Sequence, residues 1–184
     1  MITRALLPAI VLVVATPVDA RQTPPAQPAP APALVLETVK GTVEIQLFQA
    51  EAPKSVEHLV TLIRRSFYRG QRFHRVTASL VQWGDPRSRD MTYRDYWGTG
   101  GSGKPINAFE LSKKRRHVRG AVGLAHSGNA MAADSQLYIM KAASPGLDGK
   151  HAIVGQVTAG MAVVDKLEVA DSIKNAYLKG EGGK

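Results

Sequence analysis

Apolar residues in this chain come in short runs, four to seven residues long and separated by glycine-rich and polar stretches. That punctuation restricts the fold more than any other feature, because such runs have the length of strands. Residues 34–39 and 42–48 flank Lys40-Gly41, and Val43, Ile45 and Leu47 alternate with Thr42, Glu44 and Gln46. The pattern predicts a hairpin with one buried face and one wet face. Further runs follow at 72–76, 80–83, 121–125, 136–140 and 152–157. Two stretches obey the helical period instead. Pro53 stands where a first helical turn tolerates it, Val56, Leu59, Val60, Ile63 and Phe67 recur on one face, and Gly70 offers a stop. A second helix is predicted over 161–169. Many short strands and two helices argue for a mostly β domain, a closed or nearly closed antiparallel barrel capped by helices.

The start of the chain reads as a signal for export. Residues 1–4 carry one positive charge, 5–15 are apolar, and Val18-Asp19-Ala20 has the small-residue form of a cleavage site. Residues 1–20 are therefore expected to be a signal peptide, and the destination a bacterial periplasm. Eleven apolar residues fall well short of the roughly 20 that a spanning helix needs, so no transmembrane segment is expected in the mature protein. Five of the thirteen residues from 21 to 33 are Pro, which predicts an extended linker. The folded domain is placed at 34–175 and a flexible tail at 176–184, where three glycines leave little to bury. The chain has no Cys, which excludes disulfides, thiolate metal sites and a cysteine nucleophile. A net charge of +9 suggests affinity for anionic surfaces and says nothing about the reaction.

Three motifs point elsewhere and fail on context. Gly98-Thr99-Gly100-Gly101-Ser102-Gly103-Lys104 has the spacing of a phosphate loop, but Pro105 replaces the Ser or Thr that holds magnesium, and Tyr93 to Trp97 is no apolar strand. It reads as a flexible glycine loop. Lys113-Lys114-Arg115-Arg116-His117 lacks aromatic residues for stacking on single strands. It reads as a solvated basic loop, and no nucleic-acid partner is expected. His58, His74, His117, His126 and His151 show no metal-binding spacing, and no GxSxG elbow is present. No metal and no cofactor are expected.

One set of motifs holds together. Phe73-His74-Arg75-Val76, Gln82-Trp83-Gly84-Asp85, Gly98-Thr99-Gly100-Gly101, Ala133-Asp134-Ser135-Gln136 with Leu137-Tyr138-Ile139, and Leu147-Asp148-Gly149-Lys150-His151 with Val154-Gly155 occur in that order. Together with the opening hairpin and Glu51-Ala52-Pro53-Lys54-Ser55-Val56-Glu57, they resemble the cyclophilin-type peptidyl-prolyl cis/trans isomerases over nearly all of 34–169. The resemblance implies a closed eight-stranded antiparallel barrel capped by two α-helices. It also implies a cofactor-free isomerase that acts on extended proline-containing polypeptides and assists folding of exported proteins as a monomer.

An Xaa-Pro bond rotates slowly because amide resonance raises a barrier of about 18–20 kcal/mol, while the isomers differ by only about 1 kcal/mol. Catalysis needs a donor that favours the twisted amide, a slot for the ring and anchors for the chain. Arg75 is the natural donor, since its guanidinium stays charged and offers several N–H groups. The resemblance implies that Gln82 holds a substrate carbonyl and that the backbone at Ala125 and His126 pairs with the peptide. It further implies that Leu80, Tyr138 and Leu147 wall the proline pocket and that His151 closes its rim.

The sequence departs from the family at several points. The Arg75 to Asp85 interval is one residue short, and Ala78-Ser79-Leu80 replaces a segment that supplies an aromatic wall. Tyr138 stands where phenylalanine is usual and adds a hydroxyl that needs a partner. Gly146 replaces an aromatic residue, which implies weak cyclosporin binding, and the 128–134 loop is one residue longer. Trp83 replaces a common glycine without an evident reason. These departures leave an alternative: a cyclophilin-like polypeptide-binding module or chaperone with weak turnover.

Overall fold

The computed structural model describes residues 31–182. The signal peptide expected at 1–20 and most of the linker expected at 21–33 lie outside them. Eight strands build one antiparallel sheet: β1 (Ala33–Thr38), β2 (Gly41–Leu47), β3 (Arg75–Val76), β4 (Leu80–Trp83), β5 (Ala121–Leu124), β6 (Leu137–Met140), β7 (Ile153–Ala159) and β8 (Ile173–Leu178). Their order is β3-β4-β6-β5-β7-β2-β1-β8. Two α-helices accompany them, α1 (Pro53–Arg64) and α2 (Met161–Lys166). The mostly β expectation and the positions of the first seven strands therefore agree with the structure.

The closed barrel does not. The sheet curls into a half-barrel whose end strands, β3 and β8, form no ladder with each other. β3 is only two residues long, and the chain just before it meets the 171–173 segment through a single bridge, Arg72 with Ser172. Flanking backbone bonds, such as Gly70 N to Ile173 O (2.8 Å) and Phe73 N to Asp171 O (3.0 Å), satisfy the groups along this seam without building a regular strand pair.

β8 also corrects the domain boundary. It runs past residue 175, and Ala176 and Leu178, assigned above to a flexible tail, are 2% and 5% exposed and paired with Leu36 and Leu34 of β1. Residues 173–178 show no regular alternation because their register shifts opposite Glu37 and Thr38: Asn175 faces Glu37 and Ile173 faces Thr38, leaving Lys174 as an extra residue. Such a bulge breaks the two-residue alternation that marks a strand.

α1 has the predicted apolar face, with Val56, Leu59 and Ile63 buried. It ends before Gly70, however. Ser66 adopts φ 55°, Phe67 N bonds Leu62 O (3.0 Å) and Ser66 N bonds Ile63 O (2.9 Å). This paired closure satisfies the last carbonyls of the helix, and a serine occupies the position that glycine usually takes. At the other end Ala52 offers no side-chain cap, and Glu110 from a distant loop accepts from Lys54 N (3.0 Å) and Ser55 N (2.8 Å). A carboxylate there complements the helix dipole.

The sheet separates two apolar clusters. The larger fills the concave interior with residues such as Leu36, Ile45, Leu59, Phe73, Trp83, Leu137 and Ile139. The smaller joins Leu80, Ala121, Tyr138, Met140 and Ile153. β4 and β6 feed both. Val81 and Trp83 of β4 and Leu137 and Ile139 of β6 belong to the large core, while Leu80, Tyr138 and Met140 belong to the small one. Alternation along each strand sends neighbours to opposite faces. Trp83 thus finds its reason: it is fully buried and packs against Phe73 with ring centroids 5.7 Å apart.

Candidate active site

The smaller cluster opens into a groove of about 760 Å³. All eight positions singled out from the sequence line it: Arg75, Leu80, Gln82, Ala125, His126, Tyr138, Leu147 and His151. They come from β3, β4, β6 and the segments after β5 and before β7. The register explains how they meet. Arg75 lies opposite Gln82, Gln82 opposite Tyr138, and Leu80 opposite Met140. The shortened β3–β4 connection is a tight turn in which Thr77 N bonds Leu80 O (2.9 Å) and Thr77 Oγ1 accepts from Leu80 N (3.1 Å). Ser79 and Leu80 line the groove where the aromatic wall is missing.

Arg75 is exposed at the groove. Its Nη1 donates to Gln82 Oε1 at 3.4 Å, and among the described residues no carboxylate lies within ion-pair distance of it. Gln82 Nε2 donates to Gln136 Oε1 (2.8 Å), and Gln136 Nε2 donates to the carbonyls of Gly98 (2.9 Å) and Gly100 (2.8 Å). One end of this chain of amides is thus the guanidinium, and the other is the glycine loop.

That loop is held, not free. Asp85, fully buried, accepts from Gly98 N (2.7 Å) and Gly100 N (2.9 Å) through Oδ2 and from Arg87 N (2.8 Å) through Oδ1. Asp134 accepts from Gly103 N (3.0 Å) and Ser102 Oγ, and bonds His58 Nε2 (3.2 Å) on α1. A Cβ at Gly100 would lie 2.4 Å from Asp85 Oδ1, so the glycine lets the backbone reach the carboxylate. The flexible loop expected at 98–104 is therefore replaced by one pinned to two aspartates.

Two of the histidines line the groove. His126 and His151 stack with ring centroids 4.2 Å apart. Each donates to a backbone carbonyl, His151 Nδ1 to Leu124 (3.2 Å) and His126 Nε2 to Lys150 (3.0 Å). Desolvation is the main cause that holds the His151 pKa below the ordinary histidine value. His74 keeps both ring nitrogens buried without a partner, and its pKa is lowered, again chiefly by burial. A neutral ring is the form that burial favours. Among the described residues no three or more acidic or histidine side chains are grouped to hold a metal ion.

Sequence reasoning missed Gln136, Asp134 and His117. Gln136 shares a strand face with Tyr138, two residues on, and that spacing was the available signal. His117 had been grouped with the solvated basic loop. Lys113 to Arg116 are indeed exposed, but His117 is 2% exposed and bonded to Tyr138 and Asp148. Arg115 is also less free than expected, since it pairs with Glu51 (2.6 Å) and lies over the Phe48 ring at 3.8 Å. No helix among the described residues is long and apolar enough to cross a membrane.

Known proteins share this fold. The family described as cyclophilin type peptidyl-prolyl cis-trans isomerase matches residues 33–179. A peptidyl-prolyl cis-trans isomerase of Helicobacter pylori is 34% identical over 146 residues, which is 78% of this chain and 84% of that protein. Its counterpart from a second strain is 33% identical, covering 78% of this chain and 85% of the other. Among solved structures, a cyclophilin type peptidyl-prolyl cis-trans isomerase of Cryptosporidium parvum superposes with a TM-score of 0.69 at 21% identity, over 82% of this chain and 99% of its own. The same parasite protein has been solved in the presence of the dipeptide ala-pro. With a family match that spans every strand and the whole groove, the chain belongs to the cyclophilin-type peptidyl-prolyl cis/trans isomerases.

Proposed function

We propose that this isomerase turns over Xaa-Pro bonds in its groove with Arg75 as the catalytic donor. The observation that carries the assignment is the state of Arg75: a guanidinium at the groove, bonded among the described residues only to an amide oxygen at 3.4 Å. An Arg spent on a carboxylate would have less to offer a substrate; this one keeps N–H groups for a proline carbonyl and for the nitrogen that pyramidalises as resonance breaks. Leu80, Tyr138 and Leu147 supply the apolar slot, Gln82 and the backbone at Ala125 and His126 anchor the chain, and His151 closes the rim. No bond is made or broken, so positioned donors and a dry slot suffice. Magnetisation-exchange NMR on a short Ala-Pro-Phe peptide tests this. Arg75→Ala should lower the exchange rate about 100-fold, the size of one lost transition-state donor. A variant as fast as the parent protein removes Arg75 from the mechanism, and a parent protein that binds the peptide without accelerating exchange would favour the binding-module alternative.

We further infer an exported, monomeric bacterial protein that assists folding of proline-containing clients in the periplasm, with weak affinity for cyclosporin. The charge, apolar run and small-residue site of residues 1–20 support the export, and Gly146, exposed and with open space where a side chain would stand, supports the last. A periplasmic fraction whose protein begins at Arg21 is the expected result; an unprocessed cytoplasmic protein would overturn the inference.

A further inference from the structure

His117 spends each of its polar groups on the frame of the groove. Its main-chain N donates to Asp148 Oδ1 (2.8 Å), and its ring Nδ1 donates to the same oxygen (2.8 Å). Its Nε2 meets the Tyr138 hydroxyl at 2.8 Å, and its carbonyl accepts from Ser144 N at 2.8 Å. The pairing assigns the protons. A carboxylate oxygen cannot donate, so Nδ1 carries the hydrogen; in the neutral ring Nε2 then accepts and the Tyr138 O–H donates.

These four bonds reach two elements of the lining. Ser144 and Asp148 bracket the 3-10 turn Pro145–Leu147, which carries Leu147. Tyr138 stands on β6, Leu147 packs against its cluster, and both line the groove. His117 itself does not line it. The slot for the tyrosine is built for its hydroxyl: a Cβ at Gly123 would lie 2.3 Å from that oxygen, so only glycine lets the ring extend to His117. Tyr138 is 3% exposed, and loss of its tether would leave a buried ring nitrogen unpaired.

We propose that His117 is a positioning residue that sets the separation of Tyr138 from Leu147, and with it the fit of the proline ring. The proposal rests on the assignment of those two residues as pocket walls.

Two variants cut the same bond from opposite ends. Tyr138→Phe removes the hydroxyl alone, and His117→Asn keeps a donor for Asp148 but falls short of Tyr138. Each should raise the KM for the proline peptide about fivefold, the worth of one net hydrogen bond, with a smaller change in kcat. The double variant should be no worse than either single one, because the bond can be lost only once. A role confined to stability would lower Tm and leave the KM of the folded protein unchanged, and that result overturns the proposal, as does an additive double variant. If His117→Asn fails to fold, Tyr138→Phe carries the KM test by itself. Leu147→Ala separates the two levels. If it raises KM while the other two do not, the pocket stands and the positioning role falls; if it leaves KM unchanged, the pocket assignment fails and takes this proposal with it.

Discussion

β4 and β6 show two kinds of interior on the same backbone. On one face Val81, Trp83, Leu137 and Ile139 join a core of close-packed apolar side chains. On the other, Gln82 and Tyr138 sit opposite each other and are held by hydrogen bonds to Gln136 and His117. The first face can lose detail and keep its purpose, since apolar burial is non-directional. The second cannot, because hydrogen bonds demand distance and angle. Stability and function are thus assigned to alternate residues of the same strands, and a substitution should disturb one with little effect on the other.

Trp83→Ala is the largest test. Removing a fully buried indole should cost about 3–5 kcal/mol of stability and lower Tm by roughly 10 °C or more, while the turnover of the folded fraction stays close to the parent value. Calorimetry together with peptide exchange measures both, and a comparable loss of turnover would show that the two faces are coupled.

Gln136→Ala probes the reverse. It removes the link between Gln82 and the glycine loop, which should lower the exchange rate about tenfold, while the cost in stability stays near 1–2 kcal/mol because the side chain is only half-buried. An unchanged rate would mean that Gln82 keeps its position without its amide partner.

The smallest effect is on pH. Burial lowers the pKa of His74 and His151 below the ordinary 6.5, so the unfolded chain takes up protons that the folded groove resists. More protons on the unfolded state make stability rise with pH. Tm should therefore be level above pH 6.5 and decline as pH drops below it. A second decline is expected in strong acid. The pKa of Asp148 is held below 3.8, first by its bond to His117, and the support it lends is present above that value and lost as pH falls through the lowered one. His151→Gln should flatten the first decline and leave the second, and an unaltered first slope would assign it elsewhere.

The places where sequence and structure part have identifiable causes. Strands with intact alternation, such as β2 and β4, stand within a residue of their predicted positions, and so does the start of α1 at Pro53. β8 was lost to a bulge, the end of α1 to a serine in a left-handed conformation, and the burial of His117 to the four basic residues before it. For β8 and His117 a contact distant in sequence overrules the local pattern, whereas the end of α1 is set by bonds within its last turn. The groove was legible only through ordered motifs: Arg75, Gln82, Tyr138 and Leu147 stand out as a set, whereas Gln136 and His117 become visible only when their partners are in place.

By itself, then, the sequence determined most of the strands and the amphipathic first helix, because periodicity acts over neighbours in the chain, whereas the groove residues could be named only through the family resemblance. Only the tertiary structure decided that the sheet stops short of closure, that Asp85 and Asp134 hold the glycine loop, and that a histidine from a basic stretch is buried behind Tyr138. Each of those depends on register between strands, and register is settled by which faces bury together across the whole sheet.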